Sequence, residues 1–433
     1  MSMSAAPHPQ RRGLTAVLRG PFGLLWAGQT TSLLGDGVFL VAFTWQLAVQ
    51  WRQPALLGLL LGIRVLAELA TLALGGWLVD RLPRRTTILG ADAGRAVLLL
   101  GLAAALHRPP PVPALALLLV GYGVLTALFR PALVAYLPEI VPYDRLAAAN
   151  ALLALSLRAS MVAGPAIGAG LVGLGSAPAA LRLDSLSFLL AAATTTPLPS
   201  GPPSPGTGTA GPLAQAAEGF RAARRVGWVG GTILLISLGN LGSITAERLA
   251  LPTAAAQRYG QLGGYGATLA AIGAGAIAAA IVVGRTRSPR EPGRAAYAGV
   301  LLFGLATTAF GLVRGIVAAV VVGLAFGFGQ QLAELLWTTG LQRFAPGRLL
   351  GRISAIDQFG SFLFLPASFA FGGLLVQAAS PQLVLLGAGA TGMLTAAIGL
   401  AVPGLYRWRP FAGDITPPAG ELPSASRSGG QPR

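Results

Sequence analysis

Four ionisable side chains lie near the middle of long apolar runs: Asp36, Arg64, Glu68 and Arg158. A charge is costly in hydrocarbon, so each of these residues is by default a candidate for function. A carboxyl group can take up and release a proton, whereas an arginine stays charged and can bind an anion or hold a carboxylate. We therefore expect the four side chains to share one central cavity.

Structural roles compete with this interpretation. Arg64 and Glu68 are four residues apart, on one face of a helix, where an internal ion pair would only order that helix. Asp36 stands between Gly35 and Gly37, where a capping or packing role is the alternative.

The elements that must position these residues are predicted to be membrane-spanning helices. Hydrophobic residues make up 54% of the 433-residue chain and charged residues only 10%, which is too few charges for a soluble domain. A helix needs about 20 apolar residues to cross the hydrocarbon core. Run lengths and breaks at Arg, Pro or Gly predict an all-α integral membrane protein with spans over 22–49, 55–79, 87–106, 112–136, 148–173, 179–197, 226–250, 262–284, 295–313, 316–338, 352–377 and 382–404.

Positive charge is distributed unevenly between the predicted loops. The net charge is +17, and every basic residue is an arginine. With the amino terminus in the cytoplasm, roughly 21 arginines fall on the cytoplasmic side and about six on the other, as the positive-inside rule requires. This distribution argues against nucleic-acid binding and predicts a multi-pass protein of the inner (plasma) membrane with both termini cytoplasmic.

The residue types that most enzymes and metal sites need are scarce. The chain has no cysteine and only two histidines, His8 and His107. It has no Gly-x-x-x-x-Gly-Lys-Ser/Thr motif and no cluster of His, Asp or Ser typical of a membrane enzyme. We expect no enzymatic activity, no cofactor and no metal, and an ion gradient as the energy source.

A linker rich in Pro, Gly, Ser and Thr divides the spans into two sets of six. Short motifs recur roughly 200 residues apart, which indicates a parallel duplication. We predict an N-terminal cytoplasmic tail (1–21), an N-terminal six-helix bundle (22–197), a cytoplasmic linker (198–225), a C-terminal six-helix bundle (226–406) and a disordered cytoplasmic tail (407–433).

One motif falls at the junction between two predicted helices, and another falls inside a predicted helix. Gly76-Trp77-Leu78-Val79-Asp80-Arg81-Leu82-Pro83-Arg84-Arg85 joins the second and third spans. Ala163-Gly164-Pro165-Ala166-Ile167-Gly168-Ala169-Gly170 lies in the fifth span, where small residues let helix backbones approach closely. An ordinary basic loop and ordinary small-residue packing are the respective alternatives.

The first motif resembles the loop between the second and third helices of Major Facilitator Superfamily transporters. Leu341-Gln342-Arg343 and Gly347-Arg348-Leu349-Leu350-Gly351-Arg352 resemble the branch that includes macrolide efflux proteins and the enterobactin exporter. The resemblance covers all the predicted spans. It implies two pseudo-symmetric six-helix bundles that hold a substrate between them.

The resemblance also implies roles for particular residues. It implies a conformational latch between the bundles, to which we assign Gly76, Asp80, Arg81, Arg84, Arg85, Arg130, Asp92 and Arg95. An antiporter-like motif, and hence export in exchange for protons, is implied by Gly164, Pro165, Gly168 and Gly170. For the proton carrier we expect Asp36 first and Glu68 second.

The substrate cavity is expected to contain Arg64, Arg158 and the aromatic residues Phe39, Phe43 and Trp45, because aromatic rings suit flat amphipathic compounds. Glu334 and Asp357, near the cytoplasmic face, are expected to gate it. Arg182 and Asp184 are expected toward the outer end of their span.

Together these inferences predict a monomeric secondary active transporter that exports hydrophobic or amphipathic, drug-like molecules by proton antiport and alternating access. Export of one siderophore or secondary metabolite is the first alternative, and import through the same fold is another. The expected partners are a small-molecule substrate, protons and the lipid bilayer.

Overall fold

The fold is a set of long helices joined by short connections. A computed structural model describes residues 17–79, 83–106, 112–200, 227–259, 261–286, 289–344 and 364–408, together with Asp357 and Gly360; for 73–79, 147, 227 and 261 it describes the backbone only. The helices are α1 (Pro21–Thr44, continued by a π-helical turn Trp45–Gln50), α2 (Pro54–Val79), α3 (Arg84–Ala105), α4 (Val112–Ile140), α5 (Leu146–Leu174), α6 (Ala177–Thr195), α7 (Gly227–Thr245, a π-helical turn Ala246–Ala250 and Leu251–Arg258), α8 (Gln261–Arg285), α9 (Pro292–Leu312), α10 (Ile316–Phe344), α11 (Leu365–Ala378) and α12 (Pro381–Ala401).

Ten of the described helices are long and apolar enough to cross a membrane. The two others correspond to the sixth and eleventh predicted spans. Helix α6 is less apolar because it carries Arg182 and Asp184, and α11 is described only from Leu365 onward. The predicted all-α class is confirmed. The predicted linker lies largely outside the described residues, as do most of both tails, so the predicted division at 198–225 stays a prediction.

Most helices of α1–α6 pack chiefly on one another, and so do most of α7–α12; we call these two sets the N-half and the C-half. The exceptions are α2 and α11, each of which packs most extensively on the other. Within the N-half, α1 crosses α5 closely. A Cβ added to Gly37 would lie 2.7 Å from the Cα of Gly164, and one added to Gly164 would lie 2.9 Å from the carbonyl oxygen of Leu34. Only glycine permits this backbone contact, which gives Gly164 a packing role.

The two halves share a local irregularity. The first helix of each half contains a π-helical turn: Trp45–Gln50 ends α1, and Ala246–Ala250 lies within α7. Their starting residues are 201 positions apart (246 minus 45), which matches the repeat of roughly 200 residues predicted from the sequence motifs. Single π-turns of this kind occur frequently at functional sites.

The halves contact each other at one end of the molecule, which we call the Gln50 end after the residue that ends the first π-helical turn; the opposite end, where α1 begins, is the Pro21 end. Helix α2 packs on α11, and α5 packs on α8. A Cβ on Gly373 would lie 2.6 Å from the carbonyl oxygen of Pro54, so these backbones nearly touch. The ring of Trp45 stacks on that of Tyr265, with centroids 5.9 Å apart. This conformation is therefore shut at the Gln50 end.

Candidate transport site

Asp36 lies at the centre of the N-half and accepts a hydrogen bond from a tyrosine. The hydroxyl of Tyr122 on α4 donates to Asp36 Oδ1 over 2.6 Å. The Tyr122 ring is fully buried and stacks on Phe39, with centroids 5.3 Å apart. Asp36 itself is half-buried. The carboxylate is thus fixed in position on one side and partly accessible on the other.

The guanidinium of Arg64 lies against the same two rings. Its Cζ is 5.0 Å from the centroid of Tyr122 and 5.5 Å from that of Phe39. A cation over aromatic faces is stabilised by the ring quadrupole. Among the described residues no ion pair within 4 Å joins Arg64 to Glu68, so the helix-ordering pair weighed from the sequence is not formed. The Nε atom of Arg64 is buried and has no hydrogen-bond partner in the described structure.

A second charged pair is enclosed deeper in the N-half. Asp92 and Arg95 on α3 form an ion pair at 2.5 Å, and their side chains are 0% and 4% exposed. Gln29 donates to the other oxygen of Asp92 over 3.0 Å. The Arg95 guanidinium lies 4.3 Å from the ring of Phe129 and 4.4 Å from that of Phe188. All these partners belong to the N-half, so the contacts seen here order that half.

Asp184 is buried in the same region of the N-half. It is 2% exposed and lies against Gly35, next in sequence to Asp36. Ser187 donates to its Oδ1 over 3.1 Å, while Oδ2 is buried without a partner among the described residues. Asp36, Asp92 and Asp184 therefore place three carboxyl groups in one bundle centre.

Among the described residues, one ion pair joins the two halves. The Nη2 of Arg158 on α5 lies 3.1 Å from Oε1 of Glu334 on α10. Each side chain is 48% exposed. The sequence predicted Arg158 in the substrate cavity and Glu334 in the gate, and the structure brings the two together.

The described C-half contains a cavity of about 450 Å³ that Glu334 helps to line. It runs along α7 from Thr232 to Glu247, and its other walls come from α9, α10 and α12. Asp357 also lines it and accepts a hydrogen bond from the Nε1 of Trp337 over 3.0 Å. Polar groups therefore converge on a space large enough for a small organic molecule.

Comparison with known proteins places this architecture in a family. The sequence profile of the Major Facilitator Superfamily matches residues 25–368. The chain belongs to the Major Facilitator Superfamily. It is similar to enterobactin exporter EntS of Shigella boydii serotype 4 (strain Sb227) and to EntS of Escherichia coli O1:K1 / APEC. Each is 29% identical over 336 residues, covering 77% of this chain and 80% of the relative.

Solved structures of superfamily transporters share the fold. The nucleoside transporter NupG matches with a TM-score of 0.70 at 11% identity, over 88% of this chain and 98% of that chain. A POT family transporter in complex with 5-aminolevulinic acid matches with a TM-score of 0.67 at 12% identity, over 88% and 95%. These findings confirm the family predicted from the sequence motifs. The chain is a membrane transporter of the superfamily rather than an enzyme, and a multi-pass protein of the inner membrane.

Phe39, Phe43 and Trp45 do not line the cavity of this superfamily member. Phe39 and Phe43 are 2% and 0% exposed, and their rings stack with centroids 5.4 Å apart. Trp45 is 6% exposed and packs across the interface on Tyr265. In this conformation all three have packing roles, and a contact with substrate stays a prediction.

The predicted latch lies only partly within the described residues. Asp80 and Arg81 fall outside them, and Gly76 lies where no side chain is described. Arg84 forms an ion pair of 2.6 Å with Glu139 at the end of α4. Arg85 donates to the carbonyl oxygens of Thr195 and Thr196 at the end of α6. Both contacts stay within the N-half, and the latch across the two halves stays a prediction; Arg130 is exposed.

The antiporter-like motif divides into packed and open positions. Gly164 forms the crossing with α1, and Gly168 is buried against Val38 of the same helix. Pro165 lies within the unbroken helix α5. Gly170 is exposed and has open space around it. Packing thus explains Gly164 and Gly168, and a role in antiport stays a prediction for the motif.

Several residues of the site escaped the sequence reasoning. Tyr122 holds Asp36, Gln29 holds Asp92, and Glu139 holds Arg84. Gln29 and Tyr122 are polar residues within apolar runs, and the sequence could have marked them as candidates for that reason. Glu139 stands next to such a run. Their partners, however, lie 63 and 86 positions away in the chain, and one sequence does not show such pairings.

Proposed function

We propose that this chain exports hydrophobic or amphipathic small molecules by alternating access, in exchange for protons. The observation that carries the proposal is the Arg158–Glu334 ion pair, which joins the two halves beside a cavity while the Gln50 end is shut. A pair of this kind can form in one conformation and break in another. If the Pro21 end is cytoplasmic, as the arginine distribution predicts, this conformation faces the cytoplasm.

Asp36 is the proposed proton carrier. It is half-buried, it is a carboxyl group in the middle of a span, and its only described hydrogen bond comes from Tyr122. Protonation would neutralise Asp36 beside Arg64 and so change the charge balance at the centre of the N-half. Glu68, also half-buried on α2, is the second candidate.

The loop between α2 and α3 is proposed to stabilise the alternative conformation. Asp80 would pair with Arg130 and face the start of the eleventh span when the Pro21 end closes. In support, Arg130 is exposed near the Pro21 end of α4 and so is available for a partner in another conformation.

Transport in proteoliposomes under an imposed pH gradient tests the proposal. The panel would contain macrolides, cationic dyes and siderophores, and Asp36→Asn would be compared with Asp144→Asn, an exposed carboxylate in the loop before α5. Gradient-driven movement that persists in Asp144→Asn and is lost in Asp36→Asn is the expected result. Transport at the same rate with and without the pH gradient would contradict proton coupling. Gradient-driven transport that persists in Asp36→Asn would contradict a role for Asp36 in it.

Dedicated export of a siderophore is the second candidate function. It is favoured by the similarity to relatives named as enterobactin exporters, over most of both chains. Movement of a siderophore alone from the panel would select it, whereas movement of several unrelated compounds would select broad export.

A further inference from the structure

The cavity in the C-half has an acidic lining. Three carboxyl groups border it: Glu247 on α7, Glu334 on α10 and Asp357. No arginine is among the described residues that line it. The carboxyl groups are spread around the space rather than gathered at a point, and no set of His, Cys, Asp or Glu in the described chain could hold a metal ion. The described lining therefore carries three carboxyl groups and no arginine, and these carboxyl groups are not arranged as a metal site.

Aromatic rings form the end of the cavity nearer the start of α7. Trp337 and Trp408 line the cavity and meet at a centroid distance of 5.8 Å, nearly edge to face. Trp228 lies behind them, stacked on Trp408 at 5.4 Å. Tyr297 and Phe303 of α9 add two more rings to the wall. Organic cations bind favourably to aromatic faces through cation–π interactions and to carboxylates through charge attraction, and this cavity offers both groups.

Each carboxyl group has a different partner. Glu334 is held by Arg158 from the other half at 3.1 Å, and Glu247 by its neighbour Arg248 at 3.5 Å. Asp357 is held by a neutral donor, the indole of Trp337. Asn240 and Gln330, which also line the space, can donate or accept hydrogen bonds. The cation that holds Glu334 comes from outside the cavity lining.

We propose that this cavity binds organic cations with delocalised charge, and that the bound cation replaces Arg158 as the partner of Glu334. Binding would then release the ion pair between the halves, which links occupancy of the cavity to the change of conformation. The inference rests on the proposed transport function for its physiological meaning. The charge preference of the cavity does not depend on it.

Two ions of the same shape and opposite charge test the proposal. Binding of tetraphenylphosphonium and of tetraphenylborate to the purified full-length protein in neutral detergent would be measured by equilibrium dialysis. Tetraphenylphosphonium is expected to bind and tetraphenylborate to bind at least about tenfold more weakly, because the lining is acidic. Equal binding of the two ions, or tighter binding of the borate, would overturn the proposal.

Variants of the ion pair give changes of opposite sign. Glu334→Gln is expected to weaken phosphonium binding by about tenfold, because it removes a carboxylate from the lining. Arg158→Gln is expected to strengthen it by about twofold to fivefold, since Glu334 no longer has to give up a half-exposed partner. Asp144→Asn, an exposed carboxylate change far along the chain from the cavity, is expected to leave binding unchanged.

The same two variants distinguish a specific effect on binding from a general loss of folding. A simple packing defect would weaken binding in both Glu334→Gln and Arg158→Gln, and that outcome would contradict the proposal. If phosphonium binds with the expected charge preference but no compound moves under a pH gradient, the cavity assignment stands and the antiport proposal fails. If gradient-driven transport occurs but binding shows no charge preference, the antiport proposal stands and the cavity assignment fails.

Discussion

The close approach of α2 and α11 predicts that a valine side chain at Gly373 will force the Gln50 end open. A Cβ at Gly373 would lie 2.6 Å from the carbonyl oxygen of Pro54, 3.0 Å from the Cα of Ala55 and 3.1 Å from the Cα of Gly58. Ordinary contact begins at 3.4 Å, so in Gly373→Val the two helices must separate by roughly 0.8 Å (3.4 minus 2.6). All three neighbours are backbone atoms, which cannot rotate away as a side chain would.

Overpacking of this kind costs about 1–3 kcal/mol. Because the contact exists only while the halves meet at this end, the cost falls on the shut conformation and shifts the equilibrium toward the alternative. A free-energy change of that size corresponds to about fivefold to 150-fold in population.

Cysteine accessibility measures this shift cleanly, since the chain contains no cysteine of its own. Ala169 on α5 is 7% exposed and faces Gly266 of α8 across the interface, so Ala169→Cys reports opening of that interface. Its labelling by a maleimide should accelerate about fivefold to 150-fold when Gly373→Val is added. Leu174→Cys, at a position 92% exposed, sets the rate for a fully accessible site.

Gly387→Val provides the matched control. Gly387 lies within α12, and a Cβ there meets open space. The same substitution should therefore leave labelling of Ala169→Cys unchanged. Equal labelling rates in Gly373→Val and the parent protein, with both folded by size-exclusion chromatography, would refute the reasoning.

Three further predictions concern the N-half. Asp92→Asn should cost about 3–5 kcal/mol and sharply lower the folded yield in detergent, because it leaves Arg95 buried and uncompensated; normal yield would contradict this. Arg84→Gln should lower stability in a thermal unfolding assay by no more than about 1 kcal/mol, since its ion pair with Glu139 is partly exposed, and adding Glu139→Gln should cost little more. Gly164→Leu should separate α1 from α5 and abolish a monodisperse size-exclusion peak, whereas Gly170→Leu, which points into open space, should keep it.

The sequence determined the class of the molecule because membrane insertion depends on quantities that a sequence shows directly. Long apolar runs and few charges predicted the spans, and the loop near Asp80 and the segment after Trp337 predicted the family. The sequence also identified Asp36, Arg64, Glu68 and Arg158 as exceptional, because a charge within hydrocarbon is costly wherever its helix packs.

Which of these residues meet was decided only by the tertiary structure. Glu334 pairs with Arg158, 176 positions away, and Asp36 with Tyr122. Both pairings depend on how helices are rotated about their axes, and nearly uniform apolar faces leave that rotation unspecified in the sequence. The same reason explains why Phe39 and Phe43 proved to be buried packing residues, and why the cavity in the C-half is lined by α7 and α10. Composition and run length determine that a helix crosses the membrane, whereas its neighbours determine what each of its residues touches.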